Sequence, residues 1–296
     1  MPRLEYLHLV DHTIFEHSLP LNNGSAEELP SVLLPHLTAL QLFGTTHDCT
    51  TLLSHITLSS SVDLKIHCTG VETIPEVQAL MDFVKDNFMR SSAINTSSLN
   101  VRMDADAGKL SVDVDIISDA KPKPLVSLGL YPRVMEFFDR GVSTVCPIIF
   151  DSIPAAAIKR LDMRSKFPIS ADAWTYVLNR TTEVRVLNAS FAGAVDLSHV
   201  LGHCTPSTPS LVAKQLRSLT FSGVSFKHKT SQQRRFYEAL LESLQNRSNG
   251  DLRVKILNFH SCSDVDSNVP SQFRKVAHKV QWDKDPEDDM MMLSDD

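Results

Sequence analysis

The hydrophobic positions of the chain fall into a recurring phrase, apolar-x-x-apolar-x-apolar, whose last two apolar residues alternate as they must in a strand that buries one face. Five copies are clean: Leu4/Leu7/Leu9, Leu37/Leu40/Leu42, Leu125/Leu128/Leu130, Ile158/Leu161/Met163 and Leu216/Leu219/Phe221. Val254/Leu257/Phe259 makes a sixth, while Leu64/Ile66, Val101/Met103 and Val184/Val186 are shorter copies without the first apolar residue. Their middle positions fall at 7, 40, 64, 101, 128, 161, 184, 219 and 257, at intervals of 23 to 38 residues. Leucine-rich repeats have a period of ~20–29 residues, so the longer intervals must carry additional loop or helix.

Helical periodicity fills several of those intervals. Thr230 and Gln233 stand at capping-box spacing ahead of Phe236, Leu240, Leu241 and Leu244, which share one helical face before Gly250. A second helix is predicted from Pro75, allowed in a first turn, through Val77, Leu80, Met81, Val84 and Phe88. Shorter helices are expected in TTLLSHI, PRVMEFFDR, PIIFDSI and ADAWTYVLNR, the last capped by Ser170. The segment NVRMDADAGKLSVDVDII reads instead as two alternating strands around Asp106-Ala107-Gly108, an inserted β-hairpin, and VAHKVQW reads as a closing strand. The predicted architecture is an α/β, irregular leucine-rich-repeat solenoid over residues 1–282, a curved parallel sheet with helices on its convex side. Residues 283–296 are expected to form a disordered acidic tail.

Charge sharpens the division between body and tail. The chain carries 29 Lys+Arg and 35 Asp+Glu in 296 residues, a net charge of -6. Seven of those acids, with one Lys, lie in the last 14 residues, which leaves a neutral body. A neutral body whose nearest basic cluster is Lys227, Lys229, Arg234 and Arg235 gives little footing for phosphate binding, so no nucleic-acid partner is expected. No stretch approaches ~18 consecutive apolar residues, so no membrane partner is expected either. Five scattered cysteines without a C-x-x-C pair fit reduced thiols, which places the chain in the cytoplasm or nucleus.

In such a solenoid the polar positions between the apolar ones face the concave surface, where repeat proteins bind partners. That face is predicted to carry Tyr6 and His8, Gln41, Lys65 and His67, then Arg102. Further along it carries Arg160, Asp162, Arg164 and Arg185, and it ends with Thr220 and Asn258. Four arginines between 102 and 185 suit a protein interface, because a planar guanidinium offers both charge-assisted and stacking contacts. The same residues also fit solvated strand faces whose arginines pair with Asp162 and Glu183. No catalytic residue, metal site or cofactor is predicted. The alternating acids Asp104, Asp106, Asp113 and Asp115 suit a solvent-facing hairpin, and His260 with Cys262 lacks a third orienting group. No G-x-S-x-G, H-E-x-x-H or G-x-x-x-x-G-K is present.

LPHLTALQLFG, KQLRSLTFSG and the ending LRVKILNFHSCSDV…FRKVAHKVQWD resemble the leucine-rich-repeat region of the expanded F-box proteins of mushroom-forming fungi. The resemblance implies a non-catalytic domain that binds a protein partner, as the substrate-recognition part of a ubiquitin-ligase subunit does. In that family an N-terminal F-box docks the ligase adaptor. Here the first strand begins at Leu4, and the Leu-Pro pairs at 19, 29 and 34 sit between repeat elements. Adaptor binding is therefore expected only if an F-box lies upstream. The alternative class is an α/β enzyme with its site at the carboxyl ends of a parallel sheet.

Overall fold

A computed structural model of the chain describes residues 3–10, 31–59, 62–71, 73–86, 96–106, 109–118, 124–132, 141–202, 212–266 and 268–283. The fold is α/β: eleven strands of mostly parallel sheet are accompanied, among the described residues, by seven α-helices. The chain divides into two compact units, Met1–Asn100 with Ala105–Pro154, and Val101–Asp104 with Ala155–Asp296.

In the first unit β1 (Tyr6–Val10), β3 (Ala39–Thr45), β5 (Asp63–Val71) and β8 (Pro124–Pro132) are parallel neighbours. Two short strands, β2 (Val32–Leu33) and β4 (Ile56–Thr57), pair separately. The expected alternation holds: Leu40, Leu42, Leu64, Ile66, Val126, Leu128 and Leu130 are buried. Leu7 and Leu9 are only half-buried on β1, which among the described residues pairs with β3 alone. Helix α1 (Thr46–Ser54) starts where the Thr45 hydroxyl accepts from the Asp48 N–H at 3.2 Å. Helix α2 (Ile74–Val84) buries Val77, Leu80, Met81 and Val84, and the Glu76 carboxylate caps it by accepting from the Thr73 N–H at 3.0 Å. Helix α3 (Gly141–Ser152) packs against α2 and contains Pro147 within its span.

The expected hairpin forms from β6 (Thr96–Asp106) and β7 (Lys109–Ser118), which neighbour one another. Its placement differs from a simple insertion. β5 pairs directly with β8, and β7 runs antiparallel on the far side of β8. The phrase at Val101/Met103 is therefore not the step between Leu64 and Leu128, because β8 takes up the parallel register that β5 offers. Leu64 is opposite Val126 and Ile66 opposite Leu128, two residues from the alignment that the phrase suggests and still on the same face.

The second unit is more regular. β9 (Arg160–Ser165), β10 (Val186–Ser190), β11 (Ser218–Ser222), β12 (Ile256–His260) and β13 (Lys279–Trp282) lie side by side in chain order, all parallel. Their register aligns Leu161, Leu187, Leu219, Leu257 and Val280 in one row. Helices α4 (Ala171–Arg180), α5 (Leu197–Val200), α6 (Phe236–Asn249) and α7 (Val269–Val276) connect the strands, and each packs on the next. This single layer covers the apolar side of the sheet, where Phe221, Phe226, Phe236, Phe259, Phe273 and Trp282 cluster. Trp174 is fully buried and donates to the Gly193 carbonyl at 2.8 Å. The Ser170 cap forms, its hydroxyl accepting from the Ala173 N–H at 3.2 Å.

Two local expectations are corrected. Thr230 and Gln233 do not make a capping box. Gln233 adopts φ 62° in a turn closed by its N–H on the Thr230 carbonyl, and α6 starts later, at Phe236. The Thr230 hydroxyl is instead buried against His199 Nε2 at 2.7 Å. At β10 the phase shifts by three residues: Val184, Leu187 and Ala189 are the buried set, aligned with Ile158, Leu161 and Met163. Arg185 therefore precedes the strand instead of lying on its open face. The expected helix over 133–140, the turn at Ala107-Gly108, Phe88, Cys204 and the tail after Asp283 lie outside the described residues.

Candidate functional site

With the helices on one side of the second unit's sheet, the intervening residues form the other side, and parallel register sorts them into rows. The first row is Arg160, Val186, Ser218, Ile256 and Lys279. Asp162, Asn188, Thr220, Asn258 and Gln281 make the second. Arg164, Ser190, Ser222 and His260 form the third, at the carboxyl ends of the strands.

The second row binds itself. The Asn188 amide donates to Asp162 Oδ1, the Arg160 Nε donates to Asp162 Oδ2 at 3.2 Å, and the Asn258 amide donates to the Thr220 hydroxyl at 3.3 Å. Asn258 Oδ1 is buried and has no hydrogen-bond partner among the described residues.

The third row opens into a cleft of about 400 Å³ lined by Arg160, Arg164, Asn188, Ser190, Phe191, Thr220, Ser222 and His260. Arg164 and His260 are exposed, and Arg164 forms no ion pair among the described residues. Ser190 is only 5% exposed, and its hydroxyl has no hydrogen-bond partner among the described residues. Phe191 follows with φ 59° and 42% exposure. Its ring lies over Gly223, where a Cβ would come within 2.7 Å of two ring carbons. A non-glycine residue held in the left-handed region costs roughly 1–2 kcal/mol, so this placement is sustained by its surroundings.

Of the predicted face, Arg160, Arg164 and Thr220 meet in this cleft, with Asp162 and Asn258 in the adjoining row. Arg185 does not join them: exposed ahead of β10, it pairs with Glu183 at 3.8 Å. Arg102 is exposed on β6, in the run Val101–Asp104 that belongs to this unit, where the Lys166 N–H donates to the Met103 carbonyl. Asn188, Ser190, Phe191 and Ser222 were not predicted. Reading Val184-x-x-Leu187-x-Ala189 as the phrase places Asn188 outward at once, whereas nothing local in the sequence marks Phe191.

Tyr6, His8, Gln41, Lys65 and His67 belong to the first unit, on the face of its sheet opposite the buried leucines. There Tyr6, His8 and His67 join Phe43 and Tyr131 in an aromatic series. His8 meets Phe43 edge-on at 5.4 Å, Phe43 stacks on His67 at 4.6 Å, and His67 Nδ1 lies 3.2 Å from the Tyr131 hydroxyl. Gly129 makes room, since a Cβ there would sit 2.6 Å from His67 Nδ1. Burial, with the Lys65 charge, lowers the His67 pKa, and Asp115 opposes the shift. Burial and the Asp113 carboxylate raise that of Tyr131.

The four described cysteines are buried. The Cys68 thiol is pushed up by its hydrogen bond with Cys49 and by burial, and burial pushes Cys146 up to about 12. Cys262 bonds the Phe221 and His260 carbonyls instead of the His260 ring, so the pair of residues 260 and 262 is not arranged as nucleophile and base. Among the described residues no group of His, Cys, Asp and Glu could hold a metal, and no helix is long and apolar enough to cross a membrane. No family model, no curated protein and no solved structure matches the chain.

Proposed function

We propose that the chain is a non-catalytic protein-binding domain of the leucine-rich-repeat type, similar in role to the substrate-recognition part of an F-box ubiquitin-ligase subunit. The observation that carries this reading is the second unit's sheet: five strands in chain order and in parallel register, helices on one side, and a polar cleft on the other. Such a sheet keeps its fold with the apolar rows and leaves the polar rows free to choose a ligand. The partner is a protein, and a ligase adaptor joins only where an F-box accompanies the domain.

The enzyme alternative also looks to the carboxyl ends of the strands. In this cleft Ser222 and His260 stand opposite one another in register, and no hydrogen bond joins them among the described residues. The test is quantitative affinity capture from cell extract on the full chain, on Arg164→Glu and on Arg185→Glu, with melting curves for each. Proteins retained by the wild type and by Arg185→Glu but lost from Arg164→Glu, at unchanged melting temperature, are the expected result. Identical capture by all three would refute a binding role for the cleft.

A further inference from the structure

Resting on that reading, we propose that the cleft of the second unit receives an acidic peptide, with one carboxylate side chain held by Arg164 and the Ser190 and Ser222 hydroxyls and an adjacent apolar side chain set on Phe191.

The third row supplies the donors. Arg164, Ser190, Ser222 and His260 stand on four successive strands. At ~4.8 Å per strand the row spans roughly 14 Å, the length of about four extended residues. Arg164 is the row's fixed charge, unlike Arg160, which is engaged by Asp162. A planar guanidinium matches a carboxylate with two parallel hydrogen bonds, and one free cation matches one carboxylate.

Two further observations point to a ligand. Ser190 stands at the cleft wall with its hydroxyl unpartnered among the described residues and open to solvent, so it is available to a ligand as donor or acceptor. Phe191, in a strained conformation and still 42% exposed, adds an apolar surface to the same cleft. An acid flanked by an apolar side chain uses both features together.

The probe is a fluorescein-labelled dodecapeptide of Gly and Ser carrying a central Asp-Leu, read by anisotropy against the full chain. Matched peptides carry Asn-Leu, Asp-Ala or phosphoserine-Leu. The Asp-Leu peptide should bind at least tenfold tighter than Asn-Leu, and Arg164→Gln should abolish that preference, the size expected for one charge-assisted contact. Ser190→Ala and Ser222→Ala should each weaken it several-fold. Phe191→Ala should weaken Asp-Leu and leave Asp-Ala unchanged, which a merely structural Phe191 would not do. Equal affinity for Asp-Leu and Asn-Leu, tighter binding of phosphoserine-Leu, or Arg164-dependent binding of an oligothymidylate that matches Asp-Leu would overturn the proposal. If the peptides do not discriminate while protein capture still requires Arg164, this inference falls and the binding-domain reading stands. If capture is also indifferent to Arg164, both fall.

Discussion

Arg247 is the most exacting test of how the second unit is held together. It lies on the buried face of α6 with Phe236, Leu240 and Leu244, and none of its side chain reaches solvent. Its Nη1 donates to the carbonyls of Val212 at 2.8 Å and Leu201 at 3.3 Å, and its Nη2 to that of Ala213 at 2.8 Å. One guanidinium thus ties the end of α5 to the chain leading into β11. Burial lowers its pKa to about 10, a penalty of order 3 kcal/mol on the charged form. At ~2 kcal/mol for each charge-assisted bond, the three carbonyls return roughly 6 kcal/mol. Arg247→Met keeps most of the volume, removes both terms and leaves three carbonyls without a donor, for a net loss of about 3 kcal/mol. Arg247→Ala adds a cavity and should lose about 2 kcal/mol more. Trp174 and Trp282 are the chain's two tryptophans and both lie in this unit, so urea unfolding followed by tryptophan fluorescence reads it directly. An Arg247→Met variant within 1 kcal/mol of wild type, on the scale of one ordinary hydrogen bond, would show that desolvation cancels the three bonds and that the staple is not stabilising.

Phe191→Gly should be more stable than Phe191→Ala by about 1 kcal/mol, because both delete the ring and only glycine adopts φ 59° without strain; equal urea midpoints would mean that the backbone relaxes. In the first unit His67 binds its proton less readily when folded than at its ordinary value of 6.5. Its contribution to stability is therefore complete above pH 6.5 and is lost as pH falls from there towards the lower folded value. His67→Phe should reduce the drop in melting temperature between pH 7.5 and pH 5.5, and an unchanged drop would refute the assignment. The Cys146 thiol, with a pKa of about 12 and complete burial, should resist iodoacetamide at pH 8 in the folded chain and react after urea is added; labelling before unfolding would contradict its position.

Strand faces were legible because burial alternation is a local property. Each phrase fixes which side of its own strand is apolar, and Leu40/Leu42, Leu64/Ile66, Leu161/Met163, Leu219/Phe221 and Leu257/Phe259 are buried as the spacing requires. β10 failed because two phases compete there. Val184/Val186 is the more hydrophobic pair, yet Val184/Leu187/Ala189 matches the register of β9, and parallel pairing outweighs one residue's hydrophobicity. Strand order was illegible for a related reason. Whether β5 pairs with β6 or β8 is decided between segments some 60 residues apart, and no motif within either segment records the choice. Arg247 sits at helical spacing from Leu240 and Leu244, but a charge at an apolar position looks like an error until its three carbonyl partners are known.

The rows of the second unit also explain why a cleft can vary without loss of the fold. All five strands share one register, so each polar position joins a line of equivalents, and the lines have separate duties. In the middle line the side chains bond to one another, Asn188 to Asp162 and Asn258 to Thr220, which engages the two amide donors and the Asp162 carboxylate within the row. The line at the carboxyl ends has Arg164, Ser190, Ser222 and His260 with no such mutual bonds among the described residues. Their strand neighbours Met163, Ala189, Phe221 and Phe259 are buried toward the helices. Exchanging an outward residue of that line alters the donors presented to a partner while the apolar rows beneath it stay in place. Gly223 and Phe191 are the exception, because a Cβ at position 223 would come within 2.7 Å of the Phe191 ring and force that ring to move.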